Sequence, residues 1–243
     1  MKVKDLEAMI AQQETGINVG EVETAMPALL RKVYAWMTLA LVITGITAYG
    51  VASSPNLLAA IFSSRATMWI LLIAELGLVF YLSARIMKMS LTSATLCFII
   101  YSILNGVVLS TLFVAFTQTS IAQAFFVSAG TFAAMSAYGY FTKRSLDSMG
   151  KYLMMALVGL IIAMLVNIFV GSGTLNLIVS CVGVLLFTLL TAYDTQKIKL
   201  MLALQPDASE ASQKIALLGS LTLYLDFINL FLYLVQLFGS SDN

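Results

Sequence analysis

Seven apolar runs alternate with short polar connections along the chain, at 33–52, 66–84, 93–116, 121–141, 152–170, 174–193 and 216–238. As an α-helix, each is long enough to cross a hydrocarbon core about 30 Å thick. The pattern predicts an all-α integral membrane protein of seven transmembrane helices. A polar and acidic tail over 1–32, with a short interfacial helix ending at Arg31-Lys32, precedes the transmembrane domain at 33–238, and a short tail follows at 239–243. Residues Met1 to Lys32 lack the basic start, apolar core and small-residue cleavage site of a signal peptide.

The last run differs from the others. GSLTLYLDFINLFLYLVQLF, from Gly219 to Phe238, carries Asp226 near its middle. A carboxylate at membrane depth is costly unless it faces a bundle interior or a wet cavity, so it marks a candidate functional site. Steps of three or four residues join Gly219, Thr222, Asp226, Asn229, Tyr233 and Gln236 in one polar stripe. Lipid offers such a stripe no partners, so this helix is expected at the centre with the other six around it. The alternative is a hydrogen-bonded seam between packed helices.

Other positions read as packing. Ala129, Ala133 and Ala137, with Gly130 and Ala134 beside them, give the fourth run a small-residue face suited to close helix approach. Asn105, Asn167 and Asn176 are expected to bond between helices. Cys97 and Cys181 lie in separate apolar runs without CxxC spacing, as small buried residues do.

Charge fixes the expected orientation. Lys2, Lys4, Arg31, Lys32, Arg85, Lys88, Lys143, Arg144, Lys151, Lys197, Lys199 and Lys214 fall on one side of a seven-span layout, and Arg65 alone on the other. Basic connections stay in the cytoplasm, which puts the N-terminus there and the C-terminus outside. In a bacterium this means a multi-pass protein of the inner (plasma) membrane.

Composition then narrows the chemistry. Of 243 residues, 60% are apolar and 10% charged, with a mean hydropathy of +0.95, far from the soluble class. A net charge of +1, with no basic run, argues against nucleic acid. The chain has no histidine, which excludes Ser-His-Asp, Cys-His and H-E-x-x-H chemistry. There is no Walker loop or dinucleotide fingerprint, and Gly171-Ser172-Gly173 is a turn between spans. No enzyme activity and no bound cofactor are expected. A retinal protein would need a lysine in the last span, and none follows Lys214.

Besides Asp226, the charged candidates are Glu75, in ATMWILLIAELGLVF, Asp194, in TAYDTQKIK, and Arg85. Arg85 lies ten residues beyond Glu75, about 15 Å nearer the cytoplasm and level with Asp194. An Arg85–Asp194 pair is geometrically reasonable there; the alternative is that Arg85 reaches lipid phosphates. If Asp194 and Asp226 meet, they share a proton and titrate as one unit. Deprotonated, they offer hard oxygens for calcium, well short of the six to eight of a tight site, which suits weak binding in transit. In ideal helices Asp194 sits at the membrane edge and Asp226 several residues deeper. Contact therefore needs the sixth span to continue inward or the seventh to begin further out.

At these residues, AYDTQKIK at 192–199 and LYLDFINLF at 223–231, the chain resembles the transmembrane Bax-inhibitor-motif family, also called the Bax inhibitor-1 family, and its bacterial branch most. The resemblance implies six helices around a central seventh and a pH-sensitive calcium leak. It implies Asp194 and Asp226 as the pH-sensing pair, with Arg85 as a latch to Asp194. Two features depart from the family pattern. The loop MLALQPDASEASQK is longer than in compact members, and Gln236 stands where some relatives carry arginine, which leaves Glu75 a neutral amide as partner and is consistent with a protonated acid. A different reading is a regulator or scaffold that binds a membrane protease or another stress-response partner through its Glu- and Gln-rich tail, without conducting ions.

Overall fold

The computed structural model describes residues 19–62, 64–205 and 209–239, apart from the side chains of 19–25 and Arg65. The described residues form nine α-helices: α1 Val19–Ala52, α2 Pro55–Phe62, α3 Arg65–Arg85, α4 Leu91–Leu109, α5 Leu112–Ala115, α6 Gln118–Phe141, α7 Asp147–Val170, α8 Gly173–Ala203 and α9 Glu210–Phe238. Seven stretches are long and apolar enough to cross a membrane: α1 from Met26, α3 with its following turn, α4 with α5, and α6 to α9.

Helix starts follow local chemistry. Ser64, Ser90, Thr117, Ser172 and Ser209 each precede a helix, and each hydroxyl accepts a backbone N–H of the first turn, which meets one of the orphan donors there. Between α7 and α8 the chain reverses at Gly171, whose φ of +64° is the left-handed conformation glycine adopts without cost.

The boundary expected at residue 32 lies inside a continuous α1, which among the described residues runs unbroken from Val19 through Pro27. The ends of α8 and α9 also differ from the hydropathy pattern. The sixth span continues ten residues past Tyr193, and the seventh begins at Glu210 rather than 216. Each extension keeps a buried side: Ile198 and Leu202 on α8 and Ser212 on α9 are buried. The two helices therefore stay paired beyond the apolar stretch.

The core is built on α9, which packs mainly on α8, α1 and α6 and less on α4. Tyr224 of α9 is fully buried, edge-on to Phe98 and Tyr101 with ring centroids 5.9 Å away. Its hydroxyl lies 2.7 Å from Thr44 Oγ1, and Thr44 donates to the Ser102 carbonyl at 3.0 Å, which leaves Tyr224 as donor. In contrast, α3 packs chiefly on α4, and α7 on α8.

The small-residue face of α6 is not where helices meet most closely. Ala133 and Ala137 are exposed and, with Ala129, line an apolar cavity of about 550 Å³ bounded also by Tyr34, Met37 and Phe227. Close approach occurs on the neighbouring face of Ser128, Phe132, Ser136 and Gly139, all buried. At Gly139 a side chain would collide with the backbone carbonyl of Ala192. The choice of face follows hydrogen bonding. Ser136 lies 3.1 Å from Thr195 Oγ1 and 2.5 Å from Tyr34 OH, contacts that alanine cannot make.

Candidate functional site

The extended α8 and α9 resolve the height mismatch between the two aspartates. Both of the changes that would allow contact are present, and Asp194 and Asp226 are close enough to act on each other electrostatically. Asp226 is 5% exposed, and its Oδ2 has no hydrogen-bond partner. Asp194 is half-buried and opens onto a cavity of about 240 Å³ lined by Ser83 of α3, Lys197 and Met201 of α8, and Leu218 and Thr222 of α9. Lys197, one turn on from Asp194, is the cation that acts on it electrostatically.

The rest of the stripe continues away from this cavity. Asn229 turns its amide to its own helix, donating to the Leu225 carbonyl at 2.8 Å. Tyr233 and Gln236 line a second cavity of about 200 Å³ with Met164, Asn167, Asn176 and Val179. The Tyr233 hydroxyl donates to Met164 Sδ at 2.9 Å, and Gln236 Oε1 accepts from Ser180 Oγ at 3.0 Å. The Tyr233 ring stacks on Phe187 and occupies the space where a side chain at position 183 would sit, so Gly183 makes room for it. From Thr222 to Tyr233 is eleven residues, about 16 Å of helix. Asp226 thus lies between two small polar-edged cavities on one helix face.

Arg85 is elsewhere. It is exposed at the end of α3, and the expected ion pair with Asp194 is not formed; the Glu210–Lys214 pair, at 3.1 Å, is the one bridge among the described residues. The chain enters a tight turn at Ile86–Lys88, and Ile86 is buried beneath α9, which turns the adjacent Arg85 outward. Ser83 is the residue of this helix that lines the cavity beside Asp194. Glu75, half-buried in α3, accepts from Asn105 Nδ2 of α4 rather than meeting Gln236. Of the other asparagines, Asn167 accepts from the Ser172 N–H at 3.0 Å in the α7–α8 turn, and Asn176 lines the far cavity. Cys97 is half-buried and Cys181 exposed; both are free.

Most of the AYDTQKIK stretch is structural, which its spelling does not reveal. Gln196 accepts from the Leu146 N–H and donates to the Arg144 carbonyl, both at 2.8 Å, and so fastens the α6–α7 connection to α8. Lys199 donates to the Tyr140 carbonyl at 2.7 Å, with its ammonium 4.7 Å from the centre of that ring. Thr195 bonds Ser136. Asp194 and Ile198 are the residues of the motif turned toward α9, and Asp194 is the charged one. The only earlier hint is spacing: Ala192, Thr195, Gln196 and Lys199 share one helix face turned toward α6, and Asp194 falls off it.

Comparison with known proteins agrees with this architecture. Residues 26–243 match the family model described as inhibitor of apoptosis-promoting Bax1. The chain is 46% identical over 213 residues to inner membrane protein YbhL of Escherichia coli K12, covering 87% of this chain and 91% of YbhL. It is 44% identical over 214 residues to a protein of Borreliella burgdorferi, covering 88% and 92%. A protein of Deinococcus radiodurans is 41% identical over 213 residues, covering 88% and 90%. With seven membrane-length helices and a match over nearly its whole length, the chain is a multi-pass membrane protein and belongs to the Bax inhibitor-1 family.

Proposed function

We propose that the protein is a pH-sensitive calcium leak of a bacterial inner membrane, gated by the proton shared between Asp194 and Asp226. The observation that carries this reading is the proximity of Asp194 on α8, beside one cavity, to Asp226 on the polar face of α9, the most buried helix. Two negative charges this close in a low-dielectric setting repel strongly, so the pair holds one proton while it stays together. Losing that proton drives the carboxylates apart and frees their oxygens for a passing divalent cation. Two carboxylates are too few to trap calcium, which favours passage. Arg85 would serve as a latch only in a state where α3 rotates it toward Asp194.

Calcium flux into proteoliposomes of the purified protein, measured from acid to alkaline pH, tests the reading. One titrating unit changes flux by up to about tenfold per pH unit. Asp194→Asn and Asp226→Asn each flatten that profile. Folded protein without flux above empty liposomes at every pH would overturn the proposal and favour the regulator reading. The expected docking tail for a membrane protease or similar partner lies mostly in residues 1–18, outside the described residues.

A further inference from the structure

Glu75 and Asn105 form a second polar centre, separate from the aspartate pair. Asn105 is 5% exposed, and its Nδ2 donates to Glu75 Oε1. The Oδ1 of the same amide is buried and has no hydrogen-bond partner. Buried amide oxygens almost always have a donor. An ionised carboxylate only accepts, but a neutral carboxylic acid carries one O–H donor. A proton on Glu75 Oε2 would supply the missing donor and close a two-bond ring: amide N–H to acid carbonyl, and acid O–H to amide carbonyl. The surroundings suit a neutral acid. Tyr101 of α4, whose hydroxyl also approaches the Asn105 amide, and Tyr224 of α9 are the titratable groups whose fields meet Glu75, and neither is cationic. Among the described residues no lysine or arginine forms an ion pair with it.

We infer that Glu75 is a second proton-binding site, which bears its proton in this structure and clamps α3 to α4 through a reciprocal acid–amide ring with Asn105. The clamp matters for α3. That helix packs chiefly on α4, only 11% of its membrane stretch is buried, and among the described residues Glu75 makes its one side-chain hydrogen bond to another span. Ser83, about two turns along α3, walls the cavity beside Asp194. The Glu75 proton therefore holds in place a helix that borders the other carboxyl site. Loss of the proton would leave a carboxylate with one amide N–H at membrane depth, and α3 would loosen from α4.

Infrared spectroscopy of the full-length protein in lipid bilayers reads the proton directly. The difference spectrum between wild type and Glu75→Gln at neutral pH should contain the carbonyl stretch of a protonated carboxylic acid, and that band should shift in Asn105→Leu. Glutamine retains one donor and one acceptor for the ring, so the variant keeps its fold. A difference spectrum with carboxylate bands alone, or an acid band that Asn105→Leu leaves unmoved, would overturn the inference. Wild-type protein alone gives a second measurement. Dicyclohexylcarbodiimide adds to neutral membrane acids, its nitrogen taking the acid proton as its central carbon bonds the carboxyl oxygen. The adduct should map to Glu75 by mass spectrometry, and its absence would count equally against the proposal.

Discussion

The α7 and α9 helices both reach across a membrane, at 24 and 29 residues, and they use their surfaces in opposite ways. The most apolar of the seven spans is α7, of whose membrane window 11% is buried; α9 is less apolar, with 67% buried. In water this order would be inverted. In a bilayer the lipid is as apolar as leucine, so an oily helix gains little by leaving it, whereas a helix carrying Thr222, Asp226, Asn229 and Gln236 needs protein partners. Phe169 of α7 is 89% exposed, and Tyr224 of α9 is fully buried with its hydroxyl paired. Polarity, more than hydrophobicity, therefore decides which helix is enclosed here.

Truncations should break this comparison most sharply. Tyr224→Ala removes two edge-to-face ring contacts and orphans part of the Thr44 bond, for an expected loss of about 3–5 kcal/mol in detergent unfolding. Phe169→Ala should stay within about 0.5 kcal/mol. Comparable losses from both would show that α7 is not a lipid-facing outrigger. Next come two glycines. Gly139→Ala on α6 drives a methyl against the Ala192 backbone and should cost roughly 1–3 kcal/mol. In α7, Gly159→Ala meets nothing within 4 Å and should stabilise by up to about 1 kcal/mol through helix propensity. Thermal melts of the two variants should thus move in opposite directions.

Gln196→Ala leaves the buried Leu146 N–H unpaired, with an expected cost of about 1–3 kcal/mol. Its signature is early hydrogen exchange in the α6–α7 connection, with the pH profile of calcium flux unchanged. A flattened profile would move Gln196 from fastening to sensing. The smallest effect is Tyr233→Phe, which loses only the weak bond to Met164 Sδ and should shift stability by less than about 1 kcal/mol.

The seven spans and the polar face of α9 were legible in the sequence because bilayer length and a stripe of unsatisfiable groups each leave a direct trace. The helix ends of α8 and α9 were not. KIKLMLA and EASQKI are too polar to read as membrane spans, yet Ile198 and Leu202 of the first and Ser212 of the second are buried. Asn105 looked like a generic bonding residue because its partner, Glu75, is thirty positions away and meets it only once α3 and α4 pair. The alanine face of α6 misled for a physical reason: small size permits close approach but does not drive it, whereas Ser136 and Thr195 hold a bond that does.

The cavity at Asp194 gives the aspartate pair an entrance on one side, and Asp226 lies about one helical turn beyond Thr222 at its wall. A proton that reaches Asp226 by this route travels part of the way through the transmembrane electric field. A full crossing is worth about 2.3 kcal/mol per 100 mV. On the proposed gating, membrane voltage acts on the same proton as pH, and an energised membrane and a collapsed one would set different occupancies of the pair at identical pH.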